Sequence, residues 1–435
     1  MKAAAIAYAL LVLVVGVLVT VVMTRETETE KEEAKTEQEA KAKEPQALPA
    51  EITPAEEIAA RVTEIRGGGE FEGGRAPEVQ VVPPEELTKR LTELDAKPAQ
   101  DAALVAAAGI LLAQAGAFPA DQADQLANRR YGGTGVLGAY LPEERAVLID
   151  EELAESDPET AEAVAAGELS RALDAAGPEA PRVPPLFRDD EAVRVAVVGG
   201  AAAVVEQEYA EEHLGGEVDV AAARDSRLDP ETPPAIEMLA EFPTTVGATF
   251  VGGAIEAGGW DGVEEILGEL PPTTSALLHP DAPEAVPAPA FSIRRALGGK
   301  QWKRLASADV GELDTVALLR GGVGERPAFK AAAGWRSGRF ETWLQGKSQQ
   351  CPPPCRKKAA TVVVHRWADA AAAQTFNVTM RDALIEGAQA EPEGGRGFTI
   401  EDGGAALVRA GRFTALVFAP KAPLAGRLAE QALQG

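Results

Sequence analysis

An uninterrupted run of apolar and small residues occupies the start of the chain, from Ala3 to Met23. About twenty such residues in a helix are long enough to cross the ~30 Å hydrocarbon core of a bilayer. Lys2 lies on one side of the run, and Arg25 followed by an excess of glutamate lies on the other. The positive-inside tendency therefore predicts a single-pass protein of the cell membrane whose body lies outside the cytoplasm. Residues 1–24 would form its transmembrane helix.

A cleaved signal peptide is the rival interpretation of this segment. Its apolar region would usually be ~7–15 residues long and would end at a cleavage site rich in small residues. The run here is longer and ends in Val-Val-Met-Thr-Arg. We therefore favour an uncleaved anchor.

The composition of the whole chain limits its partners. The net charge of −26 disfavours binding of the whole chain to nucleic acid or to anionic lipid, because both carry negative charge. The chain has only three histidines, which limits every catalytic or metal-binding hypothesis. We interpret His279 as a structural hydrogen-bonding residue, and His213 and His365 as solvent-facing or sheet residues.

Shifts in composition divide the chain into segments of an α+β protein. Residues 25–52 are rich in Glu, Lys and Ala and predict a charged linker. Residues 53–290 predict a mainly helical domain with a small antiparallel sheet. Its helices are expected at 158–176, at about 189–213 and, with interruptions, at about 231–268. Its hairpin is expected in "GVLGAYLPEERAVLID".

Residues 291–435 change in character and predict a separate α+β domain with an antiparallel sheet. Helices are expected at 368–387 and 422–433. The patterns typical of strands are "TVALLR", "FETWLQ", "ATVVVHRW", "GFTI" and "FTALVFA".

Cys351 and Cys355, the only cysteines, enclose three prolines in this segment. A disulfide is the natural expectation outside the cytoplasm. However, polyproline rises ~3.1 Å per residue, which would hold the Cα atoms ~12 Å apart, whereas a disulfide needs about 7 Å or less. The loop must then turn sharply. Two free thiols and a metal clip stay open as alternatives.

Several segments together resemble a little-characterised family of exported zinc metallopeptidases of the zincin type. The family's "G-F-Y-D-P" hairpin is matched by Gly138–Pro142, and its helix motif His-Glu-x-x-His-Ala-Leu-x-Asp by Gly167–Asp174, with the aspartate one place early. Its second helix motif, "A-L-V-E-G-D-A", is matched by Ala196–Ala202. Residues 242–281 carry its Phe-Pro, Gly-Gly-Trp and Leu-His-Pro signatures and are the most specific part. The resemblance covers about 53–285 and, more weakly, the C-terminal segment.

The departures from this family fall on its chemistry. The two histidine positions hold Gly167 and Arg171, and the position of the third ligand, a glutamate, holds Gly199. Glycine has no side-chain ligand atom, and a guanidinium has no lone pair to offer a metal. Only Glu168, at the general-base position, is retained. Without a metal to lower the pKa of water from ~16 towards ~7, that carboxylate has no activated nucleophile to generate.

The resemblance therefore implies a degenerate zincin-like domain with no metal or other cofactor. Two interpretations of Arg171 remain open. It could form a surface ion pair with Glu168, or it could fill the vacated pocket and pair with Glu168 or Glu206. On the second interpretation, Gly167→His, Arg171→His and Gly199→Glu should together create zinc affinity without redesigned helices.

We expect a membrane-anchored extracytoplasmic protein that is not an enzyme and that binds a peptide or another envelope protein. One alternative is an active metal-dependent hydrolase that uses non-standard ligands. Another is a purely structural envelope protein whose cleft is closed.

Overall fold

Two β-sheets organise the part of the chain that the structure describes. The structure is a computed structural model, and it describes residues 52–95, 102–119, 135–174, 183–216, 218–228, 231–281, 286–299, 301–346, 358–401 and 403–434. The predicted anchor, the predicted linker up to residue 51, and Cys351 and Cys355 lie outside the described residues. Within those ranges, no helix is both long enough and apolar enough to cross a membrane.

The first part of the fold is mainly helical. Its elements are α1 (Ala55–Ile65), β1 (Glu78–Val82), α2 (Pro84–Asp95), α3 (Ala102–Ala115), β2 (Gly138–Leu141), β3 (Ala146–Asp150), α4 (Glu151–Ser156), α5 (Pro158–Leu173), α6 (Asp189–His213), α7 (Val220–Ser226), α8 (Pro234–Phe242), α9 (Ala248–Gly268) and α10 (Thr274–Leu278). A 3₁₀ turn covers Glu72–Gly74, and a π-helical turn over Pro243–Gly247 joins α8 to α9. The three predicted long helices and the predicted hairpin are confirmed, with shifts of a few residues at their ends.

The small sheet of this part differs from the prediction. Its strand order is β1-β3-β2, and β2 pairs antiparallel with β3 as a hairpin should. However, β1 runs parallel to β3, with Val81 opposite Ile149. The prediction of an antiparallel sheet is therefore wrong for this pair. Strand patterning shows which residues face a core, but only the tertiary path sets the direction of a strand that enters from elsewhere in the chain.

The second part surrounds a larger sheet. Its elements are α11 (Arg294–Leu297), β4 (Trp302–Asp309), α12 (Glu312–Arg320), α13 (Glu325–Ala332), β5 (Trp335–Gln345), β6 (Ala359–Trp367), α14 (Ala370–Glu386), β7 (Glu391–Glu393), β8 (Gly397–Ile400), β9 (Gly403–Ala410), β10 (Phe413–Ala419) and α15 (Ala422–Gln434). The strand order is β4-β5-β6-β10-β9-β8-β7, and every neighbouring pair is antiparallel. This confirms the predicted antiparallel sheet and both predicted helices.

One predicted strand is a helix. "TVALLR" forms the last two-thirds of α12. The backbone N–H of Gly311 donates to the Asp314 carboxylate at 2.7 Å, which caps the first turn. Every residue from Glu312 to Leu319 is buried, so the segment shows no amphipathic period. A short apolar run of this kind does not distinguish a strand from a buried helix.

The hydrophobic core is continuous between the two parts. One cluster of buried side chains contains Leu111 of α3, Leu239 of α8, Leu319 of α12, Phe376 of α14 and Leu416 of β10. Successive residues of a strand point to opposite faces of a sheet. Accordingly, Val363 lies in this cluster, whereas its neighbours on β6 pack in a second cluster beneath α15. The predicted boundary near 290 lies in residues 286–293, which are neither helix nor strand.

Candidate functional site

The helix α5 lies at the centre of the region that resembles a metallopeptidase. The Asp157 carboxylate caps its N-terminus by accepting the backbone N–H of Thr160 at 3.1 Å, and Pro158 occupies its first position. The helix packs against α1, α6 and the hairpin β2–β3. Four of its polar residues are buried along with its apolar ones, namely Thr160, Glu162, Glu168 and Ser170, and Glu168 is only 2% exposed. Since a buried carboxylate is costly unless it is paired, the partners of these groups determine what the site can do.

Gly167 marks a close approach between α5 and α6. A Cβ atom at this position would lie 2.5 Å from the Oε1 atom of Glu206 on α6, well inside contact distance. The Glu206 carboxylate therefore occupies the space where a side chain at position 167 would begin. This explains a glycine in the middle of a helix, where it costs ~1 kcal/mol relative to alanine.

Glu168 and Arg171 form a buried ion pair. The Arg171 Nε atom lies 3.5 Å from the Glu168 Oε1 atom, and the side chains are 14% and 3% exposed respectively. The other carboxylate oxygen of Glu168 accepts the backbone N–H of Tyr140 at 2.8 Å. The Glu168 carboxylate, which matches the general-base position of the zincin motif, is thus held between a guanidinium and the hairpin, and the surface interpretation of the pair is wrong.

Glu206 has a different cationic partner. The Arg224 Nη2 atom on α7 donates to both of its carboxylate oxygens, at 2.6 and 2.8 Å. Burial raises the pKa of Glu206, and the Arg224 guanidinium opposes that shift. The positive charge of Arg171 opposes it as well, which places Arg171 within electrostatic range of both carboxylates.

Gly199 completes the arrangement from α6. A Cβ atom here would lie 2.5 Å from the Pro243 Cβ atom and 3.2 Å from the Arg171 Nη2 atom. The structure therefore brings together all four residues that the sequence singled out, namely Gly167, Glu168, Arg171 and Gly199. We call these four, with Glu206 and Arg224, the ion-pair cluster.

The ion-pair cluster does not suit zinc. Two of the three positions that hold ligands in the zincin motif offer no ligand atom, and the third is a guanidinium, which repels a cation. Among the described residues, no group of three or more His, Cys, Asp and Glu side chains is arranged to hold a metal. The expectation that three substitutions create zinc affinity stays a prediction, and it requires Glu206 and Pro243 to shift, because a Cβ atom at 167 or 199 would lie about 2.5 Å from them.

A second buried ion cluster adjoins the C-terminal end of α5. The Arg66 guanidinium donates to Asp174 at 2.7 and 3.1 Å, to Ser170 at 2.9 Å and to Glu264 at 2.7 Å. It also lies over the Trp260 ring, 4.4 Å from the centroid. These contacts tie α1 and α9 to α5. Sequence reasoning missed Arg66 and Arg224, since neither belongs to a motif and each meets its partner only through tertiary packing.

A groove lies on the opposite side of α6 from Gly167. It is a cavity of about 890 Å³. Its apolar lining comes from five helices and the π-helical turn, with side chains that include Met238, Phe242, Leu277, Leu278 and Phe329. Four carboxylates also line it: Glu208, Glu211, Glu241 and Glu325. None of its lining residues is Lys, Arg or His.

The three histidines have separate structural surroundings. The His279 Nε2 atom lies 2.9 Å from the Glu312 carboxylate, which confirms a hydrogen-bonding role. His365 is fully buried in β6 beside Thr315, and burial lowers its pKa to about 3. His213 is exposed at the end of α6.

The comparisons with known proteins concern the second part of the fold. A family model described as a domain of unknown function (DUF8575) matches residues 300–429. No curated protein and no solved structure matches the chain. The matched residues run from the start of the large sheet into α15, so they do not include the ion-pair cluster or most of the groove.

Proposed function

We propose that this chain is a membrane-anchored, extracytoplasmic protein whose zincin-like domain binds a peptide or an envelope protein and does not catalyse hydrolysis. The observation that carries the proposal is the ion-pair cluster. Carboxylates and guanidinium groups of the chain itself occupy the space around Gly167 and Gly199.

The charges in this space balance one another without a metal. Two carboxylates, Glu168 and Glu206, are matched by two guanidinium groups, Arg171 and Arg224. A zincin-type mechanism needs a metal-bound water beside a carboxylate that is free to take its proton. Here the Glu168 carboxylate already accepts a backbone hydrogen bond and pairs with Arg171. The groove, which α6 separates from this cluster, supplies the surface for binding.

The proposal is tested on the purified full-length protein by elemental analysis and by incubation with unfolded casein. We expect no stoichiometric zinc, no hydrolysis of casein, and a melting temperature that a chelator leaves unchanged. One zinc per chain, or hydrolysis that a chelator abolishes, would instead establish the alternative of an active hydrolase with non-standard ligands.

A further inference from the structure

The groove combines an apolar floor with an acidic rim, and its lining holds no cationic side chain. Phe242 and Leu278 contribute to the floor, and Glu208 and Glu241 lie at half-buried positions on the rim. Carboxylates beside apolar surface usually have a cation nearby. Arg320 lies 4.0 Å from Glu325 and does not line the groove.

Negative charge accumulates along both walls. Burial and then the charges of Glu212 and Glu211 raise the pKa of Glu208. Burial and then the charges of Glu237, Asp225 and Glu325 raise the pKa of Glu241, while Arg320 opposes the shift. Each wall therefore carries more negative charge than its own cations balance, and a positively charged occupant would relieve this repulsion.

The size and lining of the groove indicate what that occupant is. A volume of about 890 Å³ exceeds what a simple amine needs and lies near the upper end for small-molecule sites. The apolar floor requires apolar side chains in the occupant, and the rim requires cations beside them. A second copy of this chain does not fit, because its net charge of −26 would bring like charges together.

We propose that this groove binds a peptide segment in which apolar side chains alternate with or adjoin Lys and Arg. The proposal deepens the binding function proposed above and rests on it. Apolar side chains of the peptide contact the floor made by Met238, Phe242 and Phe329. Its cations meet Glu208 and Glu241 on opposite walls.

The test uses the full-length protein and a fluorescent peptide of alternating Leu and Lys. Its acidic counterpart has Glu in place of Lys, and its polar counterpart has Ser in place of Leu. We expect saturable binding of the first peptide, weakened by salt, and no binding of either counterpart. Equal binding of the acidic peptide would overturn the proposal.

Substitutions in the rim locate the site. The double variant Glu208→Gln/Glu241→Gln should weaken binding about tenfold, since two partly exposed charge contacts are lost. The matched control, Glu256→Gln/Glu265→Gln, removes the same total charge from exposed positions of α9 outside the lining and should leave the affinity within about twofold. Equal losses in the two variants would mean general attraction to an acidic protein and would overturn the proposal.

Three further measurements separate the remaining outcomes. Phe329→Ala should weaken peptide binding about tenfold although the rim is intact, because it removes apolar surface from the floor. Concentration-dependent dimerisation that the rim variant abolishes would make a second copy the occupant and overturn the proposal. Mass spectrometry of the peptide after incubation distinguishes the two proposals. A cleaved peptide whose binding depends on the rim would refute the non-catalytic function and leave the groove proposal standing. An intact peptide whose binding does not depend on the rim would refute only the proposal that the groove is its binding site.

Discussion

At the scale of single residues, Arg171 is the cation that pairs with the buried Glu168 carboxylate. Its guanidinium lies beside both Glu168 and the backbone of Gly199, at 14% exposure. Removal of one partner from a buried ion pair leaves the other charge in a poorly solvated place, and typically costs ~3–5 kcal/mol.

We therefore predict that Arg171→Ala lowers the free energy of unfolding by about 3–5 kcal/mol, measured by urea denaturation. Arg90→Ala is the matched control, because Arg90 also pairs with a glutamate on its own helix but is about one-third exposed. Its loss should stay under ~1 kcal/mol. Similar losses for the two variants would show that Arg171 does not balance a buried charge.

The second residue-scale prediction concerns Gly167. Alanine is favoured over glycine in a helix by ~1 kcal/mol, yet Gly167→Ala should destabilise the protein by about 1–3 kcal/mol, because its Cβ would displace the Glu206 carboxylate. Gly426→Ala in α15 is the control, since a Cβ there meets no atom within 4 Å. Thermal unfolding should show a lower melting temperature for the first variant and an equal or higher one for the second. A stabilised Gly167→Ala would contradict the close approach of α6.

At the scale of elements, a polar junction holds α6, α10 and α12 together. Asp189 accepts hydrogen bonds from the backbone and hydroxyl of Thr274 at 3.1 and 2.5 Å. Asp314 accepts the backbone N–H groups of Phe187 and Gly311, both at 2.7 Å. The junction connects the two parts of the fold through carboxylates, and this makes its stability depend on pH.

Burial and neighbouring negative charge raise the pKa values of these carboxylates, to about 7 for Asp314 and about 6 for Asp189. The pKa of His279 is also raised, by its hydrogen bond to Glu312. A group whose folded pKa is raised contributes stability below its unfolded pKa and loses it as pH rises through the folded value. The lowered pKa of His365 makes the free energy of unfolding rise with pH instead, but only below its unfolded pKa of 6.5.

The free energy of unfolding should therefore fall as pH rises from about 6.5 to about 8. Asp314→Asn should remove much of that slope, since it removes the titrating group with the pKa nearest this window. Asp219→Asn changes an exposed helix-capping aspartate and should leave the slope unchanged. Urea denaturation at several pH values measures both effects. An unaltered slope in Asp314→Asn would show that this carboxyl does not titrate there.

At the scale of the whole molecule, the hydrophobic run at the N-terminus of the sequence leads to a prediction about where the protein resides. We predict that the full-length chain fractionates with membranes and that its N-terminal residues remain attached, because a run of about twenty apolar residues inserts stably. Cell fractionation with mass spectrometry of the N-terminal peptide tests this. A mature chain that begins near residue 25 would establish the signal-peptide interpretation.

Much of the fold followed from local patterns. The hairpin β2–β3, the helices α5 and α6 and four strands of the large sheet were predicted because their apolar periods and caps are encoded within a few residues. α12 and the parallel pairing of β1 were not, since a fully buried helix shows no period and strand direction depends on distant segments.

The sequence by itself determined the residue types at the positions that match the ligands of the zincin motif, and from them the expectation that zinc has no ligands here. Only the tertiary structure decided what fills that space. Glu206 lies 39 residues beyond Gly167, and Arg224 lies 18 residues beyond Glu206, so no local spacing connects them. They meet because α5, α6 and α7 bury their apolar faces together, and a buried carboxylate is stable only where a cation reaches it.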